Sequence, residues 1–294
     1  MKASFIMFYT FMLIIFAILG QRTSSEEQEI RLGQRKLQND NYISVKYSES
    51  SSYQAFFVQT QYEQEISHML YEEKSYKIND TFDIEKDKTL DIYFSYPINS
   101  LKEIFVLLDK DSIPSNIYWV DLSNFDSSSL ENVESMFSEC LFLNEINFKN
   151  FNTSKVTNMA NMFYGCDALE SVDLSEFDTS KVTNMANMFY NCRAIKSLDL
   201  SGFDTSNVEN MEAMFLECNE LISLDISSFN VSKVTNMDDM FYDCYSLESI
   251  DLSNFVTSSV VNMSNIFAQC KSLKSIDLSN FDTSSVTNMA HMFE

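Results

Sequence analysis

Few side chains in this sequence are placed to do acid–base, nucleophilic or metal chemistry. The two histidines, His68 and His291, stand far apart along the chain and suggest neither a serine hydrolase nor a histidine-rich metal site. The chain has only four glycines, too few for most glycine-rich phosphate loops. Its six cysteines recur once per repeat, whereas zinc ligands come in closely spaced pairs. We therefore predict a protein that is not an enzyme, with no catalytic residues and no metal site.

The side chains best able to bind something form a periodic row of carboxylates. In Val172-Asp173-Leu174, apolar and polar residues alternate, which predicts that Asp173 points from a strand towards an open concave face. With Asn147 in the same register, the row consists of Asp121, Asp173, Asp199, Asp225, Asp251 and Asp277. Because neighbouring strands lie about 4.8 Å apart, these carboxylates should repel one another. Either some keep a proton, or cations collect along the row.

Two interpretations of this acidic row stay open. It is either a binding face that attracts cations or amines, with weak calcium association and no other cofactor, or a solvated face that limits aggregation. The chain has a net charge of −23, and residues 117–294, with 26 acidic and 8 basic residues, carry −18 of it. Such a surface repels phosphate backbones, so nucleic acid is not expected as a partner.

The acidic row belongs to a repeat with a period of 26 residues. The period is read from one phenylalanine series: Phe125, Phe151, Phe177, Phe203, Phe229, Phe255 and Phe281. A fixed period of this length, without an insertion, is typical of arrays in which every repeat forms one coil and stacks on its neighbours.

One repeat, residues 166–191, shows two patterns of apolar residues. Its first half predicts a short strand around Val172 and Leu174. Its second half places Val182, Met185, Met188, Phe189 and then Cys192 at helical spacing, and Asp178, Thr179 or Ser180 could cap such a helix. The sequence therefore predicts an α/β fold: a leucine-rich-repeat-like right-handed solenoid, with one short parallel strand and one short helix per 26-residue coil.

The recurring sulfur and aromatic residues are predicted to fill the core. Methionines spread in columns along an array are more consistent with core packing than with a cofactor or soft-metal site. If helices stack about 10 Å apart, equivalent cysteines lie too far apart for disulfides, and we expect buried free thiols. The predicted core columns include Cys140, Cys166, Cys192, Cys218, Cys244, Cys270, Phe177, Phe203, Phe229, Met185, Met188, Met211 and Met214.

The chain divides into four segments. Residues 1–20 read as a secretory signal peptide, with an uncleaved anchor helix as the alternative. Residues 21–87 form a polar, acidic region of unassigned fold. Residues 88–116 read as a degenerate first repeat that caps the core, and residues 117–294 as the solenoid; whether the solenoid is truncated at its C-terminus stays open. Glycosylation sequons begin at Asn79, Asn152, Asn230 and Asn262; the first three are candidates, whereas Asn262 lies in a recurring asparagine column and should be protected.

The repeat resembles that of the BspA-type leucine-rich-repeat surface proteins of bacteria and protists. The resemblance rests on the pattern LDLSxFDTSxVTNMxxMFxxC, matched for example by residues 172–180 and 182–189, and close copies cover residues 117–294. It implies a secreted or cell-surface, extracellular protein linked to adhesion or host interaction, and it brings no catalytic residues. No lipid-attachment cysteine follows residues 1–20, unlike the bacterial lipoprotein members.

These observations predict a non-catalytic protein that mediates adhesion or protein–ligand interaction. Its partner would be a protein or a cell-surface ligand, and the chain would touch a membrane only through residues 1–20 if they stay attached. The alternative function is a structural or self-associating surface coat. We expect a monomer or weak self-association.

Overall fold

A computed structural model describes residues 41–47, 66–72, 74–76, 85–105 and 117–294. The predicted signal peptide 1–20, most of the region 21–87 including Asn79, and residues 106–116 of the predicted cap lie outside this part of the chain. The strands are β1 (Tyr42–Tyr47), β2 (Ile66–Tyr71), β3 (Lys74–Tyr76), β4 (Thr89–Phe94), β5 (Ile117–Asp121), β6 (Glu145–Asn147), β7 (Ser197–Asp199) and β8 (Ser223–Asp225).

Strands β1 to β6 form one mixed sheet in the order β3-β2-β4-β1-β5-β6. Strand β1 is antiparallel to both β4 and β5, and Val45 pairs with Leu90 on one side and with Val120 on the other. Strand β5 is parallel to β6, the first strand of the following repeat. The N-terminal sheet therefore continues directly into the strands of the repeats, and it covers the first of them.

The 26-residue repeats stack one on the next through their backbones. Parallel bridges join successive members of one column: Ser100, Asn132, Asn158, Asn184, Asn210, Asn236, Asn262 and Asn288. The N–H of Met159 donates to the carbonyl of Asn184 in the next repeat at 3.0 Å, and the N–H of Phe163 donates to that of Met188 at 2.9 Å. Strands β7 and β8 pair in parallel in the same register. Each repeat thus satisfies much of its backbone through its neighbours.

The prediction of a leucine-rich-repeat-like α/β solenoid with one helix per coil is wrong. The described residues contain no helix, and their strands lie mainly in the mixed sheet. The segment predicted to be helical instead forms turns, in which the N–H of Cys166 donates to the carbonyl of Phe163, three residues earlier, at 3.1 Å. The spacing of the methionines and Phe189 therefore shows only that these side chains share one buried side. A series of turns produces such a side as well as a helix does.

Left-handed residues at two positions of each repeat explain why no helix forms there. At the first position φ lies between 51 and 57°; the residues are Ser135, Asn161, Asn187, Ala213, Asp239, Asn265 and His291. Four residues later φ lies between 54 and 69°; the residues are Glu139, Gly165, Asn191, Glu217, Asp243 and Gln269. A right-handed helix cannot pass through a residue in this conformation. Asparagine, aspartate and glycine, which tolerate it best, occupy many of these positions.

Because the described residues form no helix, the helix-packing distance no longer argues against disulfides between neighbouring cysteines. Stacked phenylalanine rings of successive repeats lie 5.3–5.8 Å apart, from Phe105 on Phe137 to Phe267 on Phe293. The spacing of about 10 Å expected from helix packing is therefore wrong, and distance alone does not keep neighbouring cysteines apart. In the structure all six are free thiols.

The core runs continuously from the N-terminal sheet through the repeats. It includes Phe177, Phe203, Phe229, Met185, Met188, Met211 and Met214, each at most 5% exposed. Residues 98–105 join this stack, since Leu101 donates its N–H to the carbonyl of Asn132 at 2.9 Å. Leu90 to Ile92, which resemble the strand of a repeat, lie instead in the antiparallel strand β4. None of the described residues forms a helix with the length and apolarity that crossing a membrane requires.

Candidate binding face

The strands of the repeats turn one side chain inwards and its two neighbours outwards. In β7 the side chain of Leu198 is buried, and Ser197 and Asp199 are exposed. Strand β8 repeats this arrangement with Leu224 between Ser223 and Asp225, and Asp199 pairs with Asp225 across the two strands. The exposed face therefore carries neighbouring rows of serine and aspartate. We call the surface formed by these strands and their equivalents the strand face.

Each aspartate of the strand face is held by the serine two residues later. Asp199 Oδ1 accepts a hydrogen bond from the N–H of Ser201 at 3.0 Å and from its hydroxyl at 2.7 Å. Asp225 accepts the same two bonds from Ser227. The backbone bond recurs at every member of the row, including Asn147. Because these bonds fix the side chain beside its own backbone, the row has a regular geometry.

At four positions of the row, the hydrogen bonds from the serines favour the ionised carboxylate. The side-chain and backbone hydrogen bonds of the following serines lower the pKa values of Asp173 and Asp199 below the usual range. The backbone bond, then the side-chain bond, does the same for the pKa values of Asp251 and Asp277. Of the two alternatives, a proton kept by some of the carboxylates is thus not favoured at these four positions. Among the described residues, no lysine or arginine forms an ion pair with them.

Asp121 differs from the rest of the predicted row. It is half-buried in β5, whereas Asp173, Asp199, Asp225, Asp251 and Asp277 are exposed. Asp121 Oδ1 also accepts a hydrogen bond from the side-chain amide of Asn147 at 2.9 Å. The free acidic row therefore begins at Asp173 and not at the N-terminal sheet.

Beside the acidic row lies a column of residues whose charges alternate between negative and positive, except at one uncharged position. Lys196 lies 3.3 Å from Glu170 of the preceding repeat, and Lys274 lies 2.6 Å from Glu248. Between the two ion pairs stands Ile222, which is 50% exposed. In the next repeat Tyr245 is 49% exposed, and the Lys271 ammonium lies 5.4 Å from the centre of its ring. This column at the edge of the strand face thus has one apolar position, Ile222, among charged ones.

A second acidic row lies five residues further along each repeat; it contains Asp178, which the sequence had offered as a helix cap. Its charged members are Asp126, Asp178, Asp204 and Asp282, and Asn152 and Asn230 occupy the same column. Hydrogen bonds from the hydroxyl and N–H of the serine two residues on lower the pKa values of Asp178, Asp204 and Asp282. Asp-x-Ser occurs twice in four of the seven repeats, beginning at Asp121, Asp173, Asp199 and Asp277, and this recurrence is the sequence signal for these turns.

Five of the six cysteines are buried in the core, and Cys270 is half-buried. Cys192 Sγ donates to the carbonyl of Phe163 at 3.1 Å, and the other cysteines make the equivalent bond. Burial raises the pKa of Cys218 to about 12 and that of the half-buried Cys270 to about 11. Within the described residues, no group of three or more His, Cys, Asp and Glu is placed to hold a metal ion.

The sequons differ in their accessibility. Asn152 and Asn230 are exposed, and each accepts a backbone hydrogen bond from the serine of its own sequon. Asn262 is half-buried in the bridging column. The serine of its sequon, Ser264, is 5% exposed and donates its hydroxyl to Asp238 at 2.5 Å. Asn152 and Asn230 thus remain glycosylation candidates.

Comparison with protein families gives one match. The profile of a family described as Mycoplasma protein of unknown function, DUF285, matches residues 99–221 and 193–294, more than half of the chain. The matched residues contain the repeats and the strand face. No curated protein and no solved structure matches the chain.

Proposed function

The chain belongs to the DUF285 family, and from its own surface we propose a non-catalytic protein, secreted or exposed at a cell surface, that mediates adhesion or protein–ligand interaction. The observation that carries this proposal is the row Asp173, Asp199, Asp225, Asp251 and Asp277. These carboxylates are exposed, evenly spaced and oriented by their serines, and no described basic residue forms an ion pair with them. A surface of this kind attracts amines and other cations by its field.

Two further observations support the proposal. The repeat resembles that of the BspA-type surface proteins, which are secreted or displayed. The hydrogen bonds between repeats hold each row in register, so that the face presents the same groups at a regular spacing. A ligand with many cationic groups could then engage several repeats at once, and weak contacts would add up.

Adsorption of the purified full chain to a sensor surface tests the interaction. We expect more chain to be retained on an amine-terminated surface than on a hydroxyl-terminated one, and less of it as salt rises. Replacing Asp199, Asp225 and Asp251 by Asn should reduce retention several-fold. A control variant with Asn at Asp178, Asp204 and Asp282 removes the same charge from the second row. Equal losses in both variants would mean that the net charge acts alone and would refute a role for the strand face.

Secretion is tested separately. Expression of the full chain with residues 1–20 attached should release a product that begins near Gln21, as mass spectrometry of the medium would show. A cell-associated product that retains these residues would instead support the anchor-helix alternative. Light scattering addresses the other function: a monomer at all concentrations supports a binding protein, and polymers that grow with concentration support a surface coat.

A further inference from the structure

Ile222, the apolar position in the charged column, is not covered by the side chains on either side of it. Lys196 is drawn towards Glu170, on the side away from Ile222. Glu248 is drawn towards Lys274, again on the far side. Both ion pairs are exposed and add little to stability, but they fix the directions of the long side chains. Ile222 is therefore open to solvent between two repeats whose charged side chains point elsewhere.

The backbone places Ile222 beside the acidic row and three residues along the repeat from Asn219, the residue that aligns with Tyr245 of the next repeat. Ile222 accepts a hydrogen bond from the N–H of Glu248 at 3.4 Å, and Asn219, three residues before Ile222, accepts one from Ser246 at 3.2 Å. The exposed ring of Tyr245 therefore lies at the border of the same patch. On the other side, three residues after Ile222, stands Asp225. Ile222, Tyr245 and the carboxylates of Asp199, Asp225 and Asp251 make up what we call the Ile222 patch.

The spacing of the carboxylates selects the conformation of a partner. Neighbouring strands lie about 4.8 Å apart, and the stacked rings of successive repeats here lie 5.6–5.7 Å apart, so Asp199 and Asp251, two repeats apart, are separated by about 10–11 Å along the stack. In a polyproline II segment, residues i and i+3 lie on the same side, about 9.3 Å apart. In a β-strand, residues on the same side lie about 6.6 Å apart, which fits neither one repeat nor two. Cations at every third residue of a polyproline II segment would thus meet alternate carboxylates.

We propose that the Ile222 patch binds a cationic segment of a partner protein in the polyproline II conformation, with lysine or arginine at every third residue and an apolar residue between them. The cations pair with Asp199 and Asp251, and the apolar side chain packs on Ile222 and Tyr245. Charge complementarity argues for this occupant, because residues 117–294 carry 26 acidic and only 8 basic residues. The proposal rests on the interaction function proposed above and names its partner class.

The test uses a labelled peptide and fluorescence anisotropy with the purified full chain. The probe is acetyl-Lys-Pro-Leu-Lys-Pro-Leu-Lys-amide, and its control has the same composition with the three lysines adjacent. We expect the probe to bind at least about 5-fold more tightly than the control peptide. Equal affinity for the two would overturn the proposal, since bulk charge would then account for all of the binding.

Matched variants locate the site. Ile222→Ser should weaken binding of the probe about 10-fold, whereas Val256→Ser, at a valine that is 53% exposed on another part of the surface, should change it less than 2-fold. Asp251→Asn should weaken binding several-fold, and Asp204→Asn in the second row should not. Asparagine already occupies both columns, at Asn147 and Asn152, so these changes are tolerated by the fold. Unchanged binding by Ile222→Ser would refute the site.

A second variant and the surface assay separate the possible failures. Ile222→Lys introduces the residue found at the equivalent positions Lys196 and Lys274, so it keeps the fold, and it should abolish measurable binding of the probe. If the wild-type chain adsorbs to the amine surface but does not bind the probe, only this proposal fails. If it does neither, the proposed function fails as well.

Discussion

The hydroxyl of Thr179 joins two repeats by bonding to both backbone groups of Asp204. It donates to the Asp204 carbonyl at 3.0 Å and accepts from the Asp204 N–H at 2.8 Å. Thr179 is only 1% exposed, so water cannot take its place. Thr205 makes the same pair of bonds to Asn230 in the next repeat. The threonines of this column therefore fasten their repeats to the following ones.

Removal of this hydroxyl should destabilise the protein. Thr179→Val keeps the shape of the side chain but leaves the N–H and the carbonyl of Asp204 without their partner. We expect the free energy of unfolding to fall by about 1–3 kcal/mol. Chemical denaturation measures the change. The control is Val231, which occupies this column naturally; Val231→Ala removes apolar contacts but no hydrogen bond. An unaltered denaturation midpoint for Thr179→Val would contradict the role given to the hydroxyl.

The left-handed positions predict a pair of opposite effects. Glu139 is exposed and has a φ of 60°, whereas Gly165, one repeat later, has a φ of 69°. Because glycine adopts this conformation without a steric penalty, Glu139→Gly should raise the free energy of unfolding by about 0.5–1 kcal/mol. Gly165→Ala should lower it by about as much. A methyl group at Gly165 would lie 3.6 Å from Glu139 Cα, an ordinary contact, so the loss comes from the backbone alone.

Denaturant unfolding of both variants checks the pair. The expected result is that the two midpoints move in opposite directions from that of the wild-type chain. Should both variants be destabilised, the side chain of Glu139 would matter more than its backbone conformation.

The two left-handed positions of each repeat also show why the prediction of a helix was wrong. The spacing of Val182, Met185, Met188 and Phe189 tells only which side chains share a buried side, and a turn satisfies it as well as a helix. The contrary signal was local: asparagine or glycine recurs in pairs four residues apart, at Asn161 and Gly165 and at Asn187 and Asn191. Turn chemistry of this kind outweighs the apolar period, because a left-handed residue interrupts helical bonding.

The exposed acidic row could be predicted from the sequence, because it depends on the alternation of apolar and polar residues. Leu174 is buried and Asp173 exposed, as the alternation of apolar and polar residues predicts. The second acidic row was not predicted, because its one member considered from the sequence, Asp178, was interpreted only as a helix-cap candidate. The difference between Asp121 and the later aspartates could not be predicted, since it arises from the pairing of β5 with the distant strand β1.

The second acidic row should make stability fall in acid. The pKa values of Asp178, Asp204 and Asp282 are lowered by their serine bonds. Their contribution to stability is therefore present above the unfolded-state pKa of about 3.9 and is lost as the pH falls through the lowered folded-state values. Replacing all three by Asn, which keeps the acceptor oxygen as at Asn152 and Asn230, should reduce the loss of stability between about pH 5 and pH 2.5.

Unfolding midpoints measured across this pH range check the prediction. The same substitutions at Asp238, Asp239 and Asp243 remove an equal charge from other columns, and burial raises the pKa of Asp239 above its usual range, so they provide a control of equal charge. A triple variant of the second row with the same acid sensitivity as the wild-type chain would contradict it.

Calcium should associate with the strand face only weakly. No described group of acidic side chains is arranged to enclose a metal ion, so attraction rests on the field of the row. Calorimetry should give small heats that magnesium reproduces and that fall as potassium chloride is added, because diffuse attraction is screened. Replacing Asp199, Asp225 and Asp251 by Asn should reduce them further. A saturable heat that is specific for calcium would point to a defined site instead.

The hydrogen bonds between neighbouring repeats have a mechanical consequence. Each repeat is held by bonds that its neighbours complete, as between Met159 and Asn184, and the described part of the repeats has no helix that could stay folded on its own. Under tension applied to its two ends, the stack would therefore come apart from an exposed end, one layer at a time. Every layer would release a 26-residue length of chain, or about 90 Å of slack. Such a chain would extend in steps of equal length, and each step would absorb part of a force applied between its two ends.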